Sequence, residues 1–74
     1  MFMPEDIQKL IATGLPGAQV EVVGDGHHFE AVVVSGSFAG KSTLARHQMV
    51  YRTLGTKMGN EIHALSIKAL APGE

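Results

Sequence analysis

The sequence predicts an α+β fold of order α-β-β-α-β, a two-layer domain whose three-stranded mixed sheet carries both helices on one face. Three observations predict it. Two valine-rich runs flank Gly24-Asp25-Gly26, a pairing that makes an antiparallel hairpin. A single helical stretch separates the second of these runs from a final apolar run. A strand–helix–strand segment of that kind joins parallel strands.

Each element has a local cause. Pro4 followed by Glu5 and Asp6 opens the first helix, since proline suits a first turn and acids complement the helix dipole. Ile7, Leu10 and Ile11 follow at helical spacing, and Gly14 with Pro16-Gly17 ends the helix. Ala18 to Val23 reads as the first strand, with Val20 and Val22 on one face and Gln19 and Glu21 on the other. Phe29 to Ser35 is the second strand. Gly36 to Gly40 forms a short loop in which Phe38 anchors onto the core. Ser42 caps the main helix, expected from Thr43 to Met58, whose apolar stripe is Leu44, His47, Tyr51, Leu54 and Met58. Gly59-Asn60 closes that helix, and the last strand is expected from Ile62 to Leu70.

Composition narrows the function classes. The 74 residues make one domain, 1–74, and no cysteine is available for a disulfide or a thiolate metal site. No apolar run reaches the roughly 18 residues of a membrane span. The first residues lack the basic-then-apolar layout of a signal peptide, so a cytoplasmic protein with no membrane partner is expected. The net charge of −1 gives no overall drive towards nucleic acid. Its distribution is uneven: Ala31 to Asn60 holds no acid, while Lys41, Arg46, Arg52 and Lys57 all fall there.

The histidines carry the chemistry. His63 opens the last strand, and His27-His28 stand where the hairpin leads into the second. Parallel strands begin at the same end of a sheet, so these positions are expected on one rim. His63 shares parity with Leu65, Ile67 and Ala69, which places it on the core side at a point water can reach. It reads either as a partly buried histidine bonded to a loop carbonyl or as a functional donor. His27 and His28 read either as a polar turn or as donors, and adjacent strand residues face opposite ways, so at most one readily joins His63. His47, inside the helical stripe, reads as a packed, hydrogen-bonded structural histidine.

A hydrolytic zinc centre takes three protein ligands and an open position, and this set does not fit one. Gly36 to Ser42 has one residue too few for a phosphate loop. Two imidazoles are, however, half of a [2Fe-2S] ligand set, in which histidine can replace two thiolates. A chain without cysteine can hold such a cluster only by sharing it with a partner that supplies thiolates.

At this point the residues resemble a known family. Phe38-x-Gly40, then Arg46-His47-x-x-Val50-Tyr51-x-x-Leu54, then Ile62-His63-Ala64-Leu65-Ser66-Ile67-Lys68-Ala69-x-x-Pro72 resemble the BolA family. His28-Phe29 before a valine-rich strand also matches, and Gly24-Asp25-Gly26 is similar to the IbaG-type branch. The resemblance covers nearly the whole chain. It implies a fold related to the type II KH domain and a non-enzymatic adaptor paired with a monothiol glutaredoxin. In that pairing a [2Fe-2S] cluster is shared with the glutaredoxin and its glutathione, and the isolated chain binds none. The family's last-strand histidine matches His63, and the hairpin-loop ligand falls on His27 or His28. This hairpin loop is shorter than in several members, and His27, nearer the turn, is the favoured choice.

The alternative class is a KH-like, DNA-binding transcriptional regulator. Lys41, Arg46, Arg52 and Lys68 are the candidate contacts for a partner or nucleic acid. On a continuous helix Lys41 and Arg52 flank one side of the stripe, Arg46 and Lys57 the other, which divides the charge. Whether the free protein is a homodimer is left open by the residues.

Overall fold

The computed structural model describes Met1 to Glu74. Helix α1 spans Pro4–Gly14 and starts where expected, with the Asp6 carboxylate accepting from the Met3 N–H at 2.7 Å. Strand β1 (Gln19–Gly24) and strand β2 (His28–Val34) form the antiparallel hairpin, in register from Gln19↔Val34 to Gly24↔Phe29. Strand β3 (Ala64–Leu70) lies parallel to β2, from His28↔Ala64 to Val34↔Leu70, giving the sheet order β1-β2-β3. Helix α2 (Thr43–Leu54) makes the crossover. The α+β order read from the sequence is the order found.

The middle strand shows how the layers form. Phe29, Ala31 and Val33 are buried, while His28, Glu30 and Val32 between them are exposed. That period of two marks one covered face and one open face. The covered face meets Ile7 and Ile11 of α1, Val50 and Leu54 of α2, and Phe38 from a short 3-10 turn at Gly36–Phe38. Phe38 is the expected anchor, and the Ser35 hydroxyl accepts from the Ser37 N–H to cap its turn. No helix is long and apolar enough to cross a membrane.

Three expectations need correction. First, α2 stops at Leu54 rather than Met58. Gly55 adopts φ +56°, and a 3-10 turn over Gly55–Lys57 follows. Second, the helix is rotated about a quarter turn from the stripe read in the sequence. Leu44 is 69% exposed and Tyr51 39%, whereas Val50 and Leu54 are buried. The inward position one turn before Val50 belongs to Arg46, whose side chain is only 13% exposed. Its Nε donates to the Lys41 carbonyl at 2.9 Å, Nη1 to the Ala69 carbonyl at 3.1 Å, and Nη1 and Nη2 to both oxygens of Glu74. A charged residue thus holds an inward place because its donors are met. Third, β3 begins at Ala64, so strand parity does not govern His63. Ile62 is buried and His63 is exposed.

Candidate functional site

The site is built at the end of the sheet where β2 and β3 both begin. The parallel register His28↔Ala64 sets the residue before each strand, His27 and His63, side by side. Neighbouring strands lie about 4.8 Å apart, which brings two imidazoles within reach of one small group. Both histidines line one concavity of about 440 Å³, together with Met1, Phe2, Gly26, Asn60 and Glu61. His28 does not line it. As the exposed first residue of β2, one place before buried Phe29, it belongs to the open face with Glu30.

Different forces hold the two donors. On the β3 side, Ile62 is pulled into the core; its N–H donates to the Lys57 carbonyl at 2.9 Å and its carbonyl accepts from Gly59 at 2.8 Å. A Lys57–Glu61 ion pair at 2.8 Å closes the same turn and holds the Glu61 carboxyl below its ordinary value. On the hairpin side, Gly24 lets the turn close: a Cβ there would run into the His28 carbonyl and the Phe29 ring. Gly26 stands at φ +99°, a conformation that favours glycine. The Asp25 carboxylate accepts from the backbone N–H groups of His28 and His27, each at 2.9 Å, and those bonds lower its pKa.

The other sequence candidates lie away from this concavity. Arg46 is enclosed by the bonds described above and offers no free guanidinium; the bidentate contact with Glu74 raises its pKa further. Lys41 and Arg52 are exposed, Arg52 beside Gln48 and Tyr51 on the outer side of α2. Lys68 is exposed on the open sheet face, in register with Val32. His47 is half-buried on α2, where the side-chain hydrogen bonds are made by Arg46 and Thr53 instead. Sequence reasoning missed four lining residues. Asn60 and Glu61 could have been found from their place in the chain just before His63; Met1 and Phe2 carried no signal.

No three His, Cys, Asp or Glu side chains are placed to hold a metal ion together. The concavity therefore does not fit a self-contained metal centre. The imidazoles it offers are those of His27 and His63.

The family described as BolA-like protein matches residues 14–74. The acid stress protein IbaG of Escherichia coli strain K12 is 40% identical over 70 residues, covering 93% of this chain and 83% of IbaG. A solved bolA protein homologue from Coxiella burnetii superposes with a TM-score of 0.89 at 48% identity, covering 97% of this chain and 94% of that one. A protein of Vibrio cholerae named DNA-binding transcriptional regulator BolA is 48% identical over 44 residues, 60% of this chain and 42% of the relative.

Proposed function

The chain belongs to the BolA family, and from that premise we propose that it is a non-enzymatic cytoplasmic adaptor for iron–sulfur trafficking. It pairs with a monothiol glutaredoxin and supplies His63 and His27 to a bridging [2Fe-2S] cluster. The glutaredoxin cysteine and its glutathione supply the thiolates. One observation carries the reading: two exposed imidazoles line a single concavity in a chain with no cysteine. Neutral nitrogen donors of this kind suit such a cluster. A two-donor set serves ligation rather than hydrolysis, which takes a fuller ligand sphere and a bound water. Stress response is suggested by the relative named acid stress protein IbaG.

The test is spectroscopic. Adding the protein to a cluster-loaded monothiol glutaredoxin is expected to change the visible absorption and circular dichroism. The His63→Ala variant is expected to leave the glutaredoxin spectrum as it was. An unchanged spectrum with the unaltered protein would remove the proposal.

A second reading, a KH-like DNA-binding regulator, has the printed name of the Vibrio cholerae relative in its favour. The enclosure of Arg46 leaves Lys41 just ahead of α2, Arg52 on α2 and Lys68 on the open sheet face as its candidate cations. Sequence-selective binding that weakens steeply with salt, and weakens again in Arg52→Ala, would support it.

A further inference from the structure

We propose that Asp25 is a positioning residue, whose carboxylate fixes the hairpin turn so that His27 stands opposite His63. The inference rests on the reading of these two histidines as paired donors.

The turn has little else to hold it. Strand β1 ends at Gly24 and β2 begins at His28, leaving Asp25, Gly26 and His27 to reverse the chain. Asp25 and His27 are exposed, so no core side chain anchors the loop. Gly26 at φ +99° permits the reversal but does not enforce it, because glycine samples many conformations. Asp25 supplies the constraint. One oxygen, Oδ1, accepts from the N–H of His27 at 2.9 Å and from the N–H of His28 at 2.9 Å. The Asp25 N–H in turn donates to the His28 carbonyl at 3.1 Å. Two bonds to one atom fix consecutive peptide planes, and with them the direction of the His27 Cα–Cβ bond.

His63 needs no such help. It follows Ile62, which is held by the core and by backbone bonds on both sides. The paired site is therefore asymmetric: a packed anchor sets one donor and a single carboxylate sets the other. Of the two paired donors, losing Asp25 loosens His27 and leaves His63 in place.

The test reads that geometry without partner or cluster. In a His27→Cys/His63→Cys chain, register spacing of about 4.8 Å between Cα atoms suits a disulfide. Equilibration with glutathione then gives the effective concentration of one thiol for the other. Adding Asp25→Ala is expected to lower it by about 10–100-fold, the range by which losing a supporting partner weakens a metal site. Asp25→Asn keeps an amide oxygen able to accept the same two bonds and is expected to restore most of it. Equal effective concentrations in all three backgrounds would overturn the proposal, as would failure of Asn to rescue.

In the chain with both histidines in place, Asp25→Ala is expected to shift the His27 backbone amide resonance while that of His63 stays. Movement of both would mean general loosening and would also overturn the proposal. A glutaredoxin spectrum that never responds to the adaptor would instead sink the shared-cluster reading and leave the thiol measurement standing.

Discussion

The rotated face of α2 makes a prediction that one substitution, applied twice, can decide. Leu44 and Leu54 lie on the same helix, and the spacing in the sequence puts both in its apolar stripe. The structure separates them: Leu54 is 2% exposed and Leu44 is 69% exposed. Leu→Ala removes the same atoms at each site and changes helix propensity only slightly in each. What differs is burial. At Leu54 the lost transfer energy and the cavity left behind cost about 2–5 kcal/mol. At Leu44, mostly in water already, the change is within about 0.5 kcal/mol. A domain of this size has about 4–11 kcal/mol of total stability, taking about 0.05–0.15 kcal/mol per residue. The first variant thus gives up a large fraction, and the second almost none. With a urea dependence of about 1 kcal/mol/M, Leu54→Ala should lower the unfolding midpoint by about 2 M or more. Leu44→Ala should leave it nearly in place. Urea titration by far-ultraviolet circular dichroism reads both. Equal shifts, or a larger one at Leu44, would show that the helix presents the face read from the sequence and that the placement of Arg46 is wrong.

Other expectations follow from single contacts. Bonds from Arg46, then from the Ala71 N–H, lower the Glu74 carboxyl from 4.5 to about 2. A depressed pKa stabilises the fold above the unfolded value, so this contribution fades as pH falls from about 4.5 towards about 2. The stability gap between the unaltered protein and Glu74→Gln should therefore be widest near neutral pH and close in acid, measured by denaturant titration across that range. Glycine to alanine near a helix end commonly stabilises, yet a Cβ on Gly14 would sit 2.5 Å from Thr53 Cγ2 and 2.7 Å from Thr53 Cβ. Gly14→Ala should then destabilise by about 1–3 kcal/mol, the usual cost of overpacking, and thermal melting gives the sign. If His27 is the hairpin-side ligand, His27→Ala should abolish the spectral response to cluster-loaded glutaredoxin while His28→Ala preserves it. The reverse outcome would reassign the ligand.

Much of the architecture could be read because its causes are local. Gly24-Asp25-Gly26 specifies a hairpin by backbone freedom, and the parity of Phe29, Ala31 and Val33 specifies a covered face. From those, one crossover helix is enough to align the starts of β2 and β3 and so to bring His63 to the rim of His27. The errors trace to causes that are not local. Arg46 reads as a solvent-facing charge because its partner, Glu74, lies 28 residues away. With that partner invisible, Leu44 and Tyr51 take the inward places by default. Ile62-His63 continues the alternation of β3, and only the bonds from Ile62 back to Lys57 and Gly59 show that the strand has not yet begun. The walls given by Met1 and Phe2 depend on where α1 docks, which no spacing in the chain reveals.

The position of Met1 and Phe2 beside the two histidines has a practical side. Any affinity tag or fluorescent label fused ahead of Met1 emerges at the mouth of the concavity and competes with whatever docks there. The far end of β3, at Leu70, lies roughly 23 Å from His63 at about 3.3 Å per strand residue, and Glu74 beyond it is clamped through its side chain. Fusions carried at that end leave the rim clear, so a partner lost only on amino-terminal tagging would itself mark which edge of the molecule it grips.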